Sequence, residues 1–337
     1  MSGKGDCVDW KSEAERLRFD EGLSWAEISS KLQKYFPNLN SRQVFEKVRS
    51  YIRRTDRYKE TVQHIKVKPK EDKPKKIEVV QNLEPETLDV VWKGNKLVRF
   101  GLMGDTQINS KYTQITHLHT YYDVCAARGI THIYHTGDID EGEQMRMGHQ
   151  YECYNQGADE HVKEICKVYP KRDGITTHFI TGNHDASILK RCGYDIGYAI
   201  EKERPDMHYL GKDCAIIKLT PNCKLELRHP WDGTAYALSY KIQKMVEAME
   251  GGSKPNILAV GHYHKAEYFI YRNIHCFQTG CFQSQTPFTR GKGISIQMGG
   301  WIVEIEVDGN GYIQRIIPEF IPFYVGVEED YKNWRIS

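Results

Sequence analysis

Five short stretches concentrate carboxylate, amide and imidazole side chains: Gly104-Asp105-Thr106-Gln107, Gly137-Asp138-Ile139-Asp140, Gly182-Asn183-His184-Asp185, Arg228-His229-Pro230 and Gly261-His262-Tyr263-His264. These residue types ligate divalent cations through oxygen and nitrogen. Two cations held about 3.5–4 Å apart need a shared carboxylate between them and further ligands on each side, and Asp138 is the natural bridge. Such a pair acidifies water for in-line attack on phosphorus and draws charge from the nonbridging oxygens, with no covalent enzyme intermediate. The nine cysteines, at 7, 125, 153, 166, 192, 214, 223, 276 and 281, never form a C-x-x-C pair. A zinc ribbon or disulfide framework is therefore excluded, and any metal must be sought among histidines, carboxylates and amides.

Side chains so far apart in sequence converge only if a regular scaffold presents them together. Residues 97–103, 132–135 and 176–180 read as strands and 112–127 as a helix, with a polar stretch after each strand. That alternation is an α/β pattern, which places chemistry in loops at the carboxyl ends of strands. Residues 301–307 and 313–318, separated by Asp308-Gly309-Asn310-Gly311, read as a β-hairpin completing a sheet. Two further segments mix aromatic and basic residues: 141–157, with Arg146, His149, Gln150 and Tyr151, and 281–293, with Phe282, Phe288, Arg290 and Lys292. They could stack on bases and hold phosphates, or serve equally as a dimer surface or satellite core.

Taken singly, each site residue has a plainer use: Asp105 or Asp138 as a helix cap, His229 before Pro230 in a turn, Asn183-His184 in a hydrogen-bonded loop. Taken together, five motifs in this order at intervals of roughly 30 to 45 residues resemble the signature of the calcineurin-like metallophosphoesterases over residues 96–325. That signature reads D-x-H, G-D-x-x-D, G-N-H-[DE], a lone His and G-H-x-H. The resemblance implies a two-sheet α/β sandwich with flanking helices and a centre of two divalent metals. It implies that Asp105, Gln107 and His264 join Asp138 at one metal while Asn183, His229 and His262 join it at the other. It also implies catalytic roles for His184, which contacts the phosphate and protonates the leaving oxygen, and for Asp185, which with a backbone carbonyl as the alternative fixes the His184 tautomer. Gln107 departs from the usual His, as in the similar manganese-dependent ADP-ribose diphosphatases. Its harder amide oxygen favours Mn²⁺, with Zn²⁺, Fe²⁺ or Ni²⁺ as alternatives. His132, His135, His178 and His275 lie outside the motifs in strand-like runs and read as core or surface histidines.

The first 62 residues read as a small all-α domain. Ser24 to Glu27 and Asn40 to Gln43 fit capping boxes. Trp25, Ile28, Leu32, Tyr35 and Phe36, then Val44, Val48, Tyr51 and Ile52, follow at one-face spacing, after an earlier helix through Ala14 and Leu17. Three helices with a short last turn resemble a helix-turn-helix or Myb-like module, which with the downstream motifs resembles a phage-type nuclease architecture. Arg42, Gln43, Arg49 and Arg53 lie on the opposite face as candidate nucleic-acid contacts. The alternative is a helical bundle with a solvated basic face. Residues 63–92 read as a Lys/Pro-rich charged linker and 93–337 as the phosphoesterase domain. Residues 1–80 carry 19 Lys+Arg against 13 Asp+Glu while the rest carries 28 against 32, so basic charge concentrates at the N-terminus where a polyanion could meet it.

These features lead to the expectation of a two-metal phosphodiesterase acting on nucleic acid, DNA favoured, in the cytoplasm, without a membrane span and with homo-oligomerisation open. A small-nucleotide or nucleoside-diphosphate hydrolase is the alternative enzyme. A non-catalytic DNA-binding scaffold is the alternative of another class.

Overall fold

The computed structural model describes residues 9–59, 86–233, 235–252 and 254–334. The chain divides into two compact units, residues 1–80 and 81–337. Among the described residues no helix is long and apolar enough to cross a membrane.

In the first unit, α1 (Trp10–Glu15), α2 (Trp25–Leu32) and α3 (Ser41–Ile52) surround a core of Ala14, Leu17, Ile28, Leu32, Phe36, Val44, Val48 and Ile52. Both capping boxes form: Ser24 with Glu27 starts α2, and Asn40 with Gln43 starts α3. A π-helical turn, Arg16–Asp20, carries the chain out of α1, and Trp10 packs edge-on against Phe36 and Tyr51.

The second unit is two six-stranded sheets packed face to face with helices outside. One sheet is ordered β1 (Glu86–Asp89), β6 (Cys214–Thr220), β7 (Cys223–Arg228), β8 (Ile257–Val260), β10 (Ile274–Thr279), β9 (Ala266–Tyr271). The other is ordered β12 (Ile313–Pro322), β11 (Gly299–Val307), β2 (Leu97–Met103), β3 (His132–His135), β4 (Thr176–Thr181), β5 (Met207–Lys212). Alternate residues of each strand face the neighbouring sheet: Phe100 and Leu102 of β2, Ile217 and Leu219 of β6, Leu225 and Leu227 of β7 and Val303 and Ile305 of β11 form one inter-sheet core. The other face of the second sheet packs on α4 (Ile115–Ala127), α5 (Ala158–Val168), α6 (Asp185–Cys192) and α7 (Ile196–Glu203), and α8 (Tyr240–Ala248) covers the first. The hairpin of β11 and β12 is antiparallel with β2, which runs parallel with β3, β4 and β5.

The segment 63–92 assigned to a linker needs correcting at its end. Residues 63–85 lie outside the described residues, but 86–89 form β1, which pairs with β6 as an edge strand, and Leu88, Val90 and Trp92 pack on the inter-sheet core.

Three histidines on β3, β4 and β5 line up across one face. His132 Nδ1 lies 3.1 Å from His178 Nε2, and the His178 and His208 rings stack with centroids 5.5 Å apart. Burial, with His132 and His208 alongside, pushes His178 down to about 3. The unfolded chain would take up this proton near pH 6.5, so folding stability is complete above that pH and is lost as pH falls toward 3. In metal-free protein the unfolding free energy from denaturant titration should decline from pH 7 to 4 by up to about 1.4 kcal/mol per pH unit for this group, and His178→Phe should flatten the slope. Equal slopes for parent and variant would contradict the assignment.

Candidate metal centre

Five strand ends build the centre. Asp105 follows β2, Asp138 follows β3 and Asn183 follows β4, three parallel neighbours of one sheet, while His229 follows β7 and His262 follows β8, parallel neighbours of the other. All enter the site from carboxyl ends, so face-to-face packing of the sheets brings the loops to one edge. Backbone bonds lock them: Asp105 N–H donates to Gly137 O at 3.0 Å, Gln107 N–H to Asp138 O at 3.1 Å and Gly261 N–H to Arg228 O at 3.1 Å.

Asp105, Gln107, Asp138, His262 and His264 all have positive φ, between 48° and 77°. Non-glycine residues tolerate that left-handed region only when their surroundings impose it, and here it turns each side chain inward immediately after its strand. Close approach also needs glycine. A Cβ on Gly182 would lie 2.3 Å from Asp138 Oδ1 and 2.6 Å from the His229 ring. Gly182→Ala should therefore fold but lose metal affinity by at least about 10–100-fold, the cost that disturbing a ligand's supporting shell carries. Metal content of the purified variant is the readout, and parental content would refute the crowding argument.

The predicted ligands converge. His229 Nε2 lies 3.2 Å from Asp138 Oδ2 and 3.1 Å from Asn183 Oδ1, while its Nδ1–H donates to Thr136 O at 2.7 Å, so Nε2 is the atom turned to the centre. His262 is oriented likewise, Nε2–H donating to Asp232 O at 2.6 Å, and one of its ring nitrogens lies within 4.8 Å of an Asp138 carboxylate oxygen and a His229 nitrogen. On the other side His264 Nε2 is 3.3 Å from Asp105 Oδ1, and Gln107 Nε2 is 3.3 Å from Asp138 Oδ2. The two Asp105 oxygens accept the His262 N–H at 3.0 and 2.9 Å. Asp105, Gln107, Asp138 and His229 are at most 1% exposed.

This arrangement fits cations. Gln107 Oε1 and His264 Nδ1 are buried without a hydrogen-bond partner, a costly condition that an ion relieves. Burial raises the Asp138 carboxyl, yet the imidazoles of His229 and His184 outweigh it and hold Asp138 well below the usual carboxylate range. Burial likewise opposes protonation of His229, but Asp138 and Asp105 overcome it and raise His229 to about 9. Carboxylates that hold a proton on His229 so firmly would favour a cation at the same place.

His184 stands beside this cluster, half-buried, with Nδ1–H donating to Glu141 O at 2.6 Å and Nε2 left available. Asp185 is placed differently from the sequence reading. Its carboxylate accepts the N–H groups of Asp138 at 2.8 Å, Asp140 at 2.9 Å and Gly182 at 2.8 Å, binding two site loops together, and the backbone carbonyl of Glu141 fixes the His184 tautomer. Asp185 thus touches backbone of the site loops and makes no hydrogen bond to the His184 ring, whose Nδ1 is taken by Glu141 O.

Sequence reasoning missed Glu141, Asp232 and Gln283, which with Asp138, Asn183, His184, His262 and His264 line a cleft of about 510 Å³ over the centre. The segments 141–157 and 281–293 form one wall, joined where the Arg146 guanidinium lies 4.3 Å from the Phe288 ring centroid. His135 is buried behind the centre, pushed down to about 3 by burial, and His275 donates to or accepts from Tyr268 Oη at 2.8 Å. Of the candidate nucleic-acid residues, Arg42 and Arg53 are exposed, Arg49 is half-buried, and the Gln43 side chain is engaged in capping α3.

No protein-family model and no curated protein matches the chain. Among solved structures it is similar to an archaeal phosphodiesterase (10% identity, covering 66% of this chain and 100% of that one, TM-score 0.38). It is similar also to a conserved predicted phosphoesterase from Streptococcus pneumoniae (11%, 67% and 98%, TM-score 0.34) and to zinc-complexed Vps29 from Entamoeba histolytica (13%, 67% and 99%, TM-score 0.34).

Proposed function

We propose that this chain is a two-metal phosphoester hydrolase and that its substrate is a nucleic-acid phosphodiester, DNA favoured. The observation that carries the hydrolase reading is the convergence of Asp105, Gln107, Asp138, Asn183, His229, His262 and His264 at one edge, with Gln107 Oε1 and His264 Nδ1 buried and unpartnered. Asp138 lies between the Asn183, His229 and His262 set and the Asp105, Gln107 and His264 set. Two divalent ions held there would supply Lewis acidity, acidifying water and drawing charge from the phosphoryl oxygens. The Gln107 amide oxygen favours manganese. His184, its tautomer set by Glu141 O, presents Nε2 to the cleft and protonates the leaving oxygen.

For the polynucleotide, support comes from the exposed Arg42 and Arg53 and from a patch at Trp231, two residues after His229. There Lys190 Nζ and Lys212 Nζ lie 3.6 and 4.8 Å from the centroid of the half-exposed Trp231 ring, a pairing of cations and aromatic surface suited to phosphates and bases. The cleft volume favours a second reading, since about 510 Å³ is the size of a small-ligand site, and a nucleotide or diphosphate would fill it.

The test incubates the protein with Mn²⁺ and, in parallel, single-stranded DNA, duplex DNA, RNA, bis-p-nitrophenyl phosphate and ADP-ribose. Polynucleotide cleavage should fall when residues 1–62 are removed while hydrolysis of the small diester is unchanged. The lost affinity should be the salt-dependent part, because neutralised phosphates release counterions. Activity confined to ADP-ribose and indifferent to truncation would transfer the assignment to the nucleotide reading.

A further inference from the structure

Outside the seven-residue centre, a second cluster of ligand-type side chains stands among the described residues, and two of its members, Glu141 and His149, have no side-chain role in the hydrolysis proposed above. Glu141 is 1% exposed and His149 fully buried, and His149 Nε2 lies 2.8 Å from Glu141 Oε1. His184 completes the group: one ligand atom from each of Glu141, His149 and His184 lies within 4.8 Å of the other two. The two imidazole rings are edge-to-face, with centroids 6.0 Å apart. Gln283 Nε2 donates to Glu141 Oε2 at 2.6 Å and also to Ser110 Oγ at 2.9 Å, so the carboxylate is fixed by a residue of the 281–293 segment. The tie from His184 Nδ1 to Glu141 O leaves Nε2 as the ring's free donor atom.

We propose that Glu141, His149 and His184 form a third cation site that takes zinc and thereby inhibits the enzyme. The inference rests on the phosphoesterase reading for its consequence but not for its chemistry. Two imidazoles and one carboxylate are a zinc ligand set that leaves a fourth position open, and the Gln283 and Ser110 bonds give the carboxylate the outer support such ligands have. Zinc takes the place of the Nε2 proton that His149 donates to Glu141, and that proton passes through solvent to Nδ1, so the imidazole stays neutral. The Met145 N–H, which donates to Nδ1 at 3.4 Å before zinc binds, turns away. His184 Nε2, once ligated, has no proton to give a leaving group. Manganese at the Gln107-containing centre and zinc at the nitrogen-rich cluster would thus have opposite effects.

The test loads the full-length protein with Mn²⁺, adds Zn²⁺ at buffered free concentrations, and counts metal per chain after gel filtration alongside hydrolysis of a dialkyl phosphodiester. The parent should retain one more metal per chain than His149→Gln, and its activity should fall as that equivalent fills. The glutamine can still donate to Glu141, and the variant, scaled to its own zinc-free rate, should need at least about 10–100-fold more zinc for half-inhibition than the parent. Glu141→Gln, which retains the carbonyl held by His184, should also lose the third equivalent and guards against a folding defect in the first variant. One-for-one exchange of zinc for manganese with no extra equivalent, or an unchanged count in both variants, would overturn the site. If the chain hydrolyses no phosphoester, the metal count alone still decides the site, so the two readings fail separately.

Discussion

Asp138→Asn should fold like the parent, lose stoichiometric metal and lose hydrolysis of every phosphoester beyond the roughly 10²–10³-fold that removing one preorganised electrostatic group costs. The reason for the larger loss is position: Asp138 Oδ2 lies between His229 Nε2 at 3.2 Å and Gln107 Nε2 at 3.3 Å, so one side chain serves both halves of the centre. The fold should survive because asparagine Oδ1 can still accept the His184 N–H, now 2.9 Å from Asp138 Oδ1, and the Gln107 amide can turn its oxygen toward the new NH₂. A second consequence follows from charge. Without the Asp138 carboxylate, the chief attraction opposing burial at His229 is gone, and its proton affinity should fall from about 9. Metal analysis, a melting curve and NMR titration of the imidazole check the three parts. Parental metal content with lost activity would mean that Asp138 acts in chemistry without bridging the ions.

Where alternation and length agree, the scaffold can be read directly from the residues. The strands Leu97–Met103 and His132–His135 begin and end where the pattern of apolar residues puts them, and the hairpin forms about Asp308-Gly309-Asn310-Gly311. Both capping boxes of the N-terminal unit are equally local and equally legible. Long-range contacts defeat the same reasoning. The helix expected over 112–127 begins only at Ile115, because Gln114 N–H is drawn to Phe282 O at 2.7 Å and Thr113 bridges Gln283. β1 is four residues with no apolar alternation, and only its pairing with β6 makes it a strand.

At the site, the proposed ligands follow from residue type and order, while roles depend on direction. Asp185 adjoins His184 in sequence, which invites the idea of a hydrogen-bonded pair. But Asp185 opens α6, where successive side chains point about 100° apart, and its carboxylate turns into the backbone loops while the imidazole turns to the cleft. The positive φ of Asp105, Gln107, Asp138, His262 and His264 leaves no mark in their identities, since none is glycine. Glu141 and His149, eight residues apart, meet through a loop that turns at Gly142 and Gly148, both left-handed, and no periodicity signals such a contact.

His184→Gln should separate two chemistries that metals alone would treat alike. The side chain lies outside the proposed ligand set for the hydrolytic metals, so the variant should keep them, and its N–H bond to Asp138 Oδ1 uses only backbone. What it loses is a protonatable Nε2 facing the cleft, the atom freed when Nδ1–H is committed to Glu141 O. A sugar alkoxide is a strong base and needs a proton as it departs; a p-nitrophenolate does not. Cleavage of a dialkyl diester or a polynucleotide should therefore fall about 10²–10⁴-fold, the span typical of a lost general acid, while hydrolysis of bis-p-nitrophenyl phosphate changes little. Equal losses on both substrates would show instead that His184 holds the phosphoryl group. Its proton would then play no part in departure, and the cleft would have to supply the acid from water or from the substrate itself.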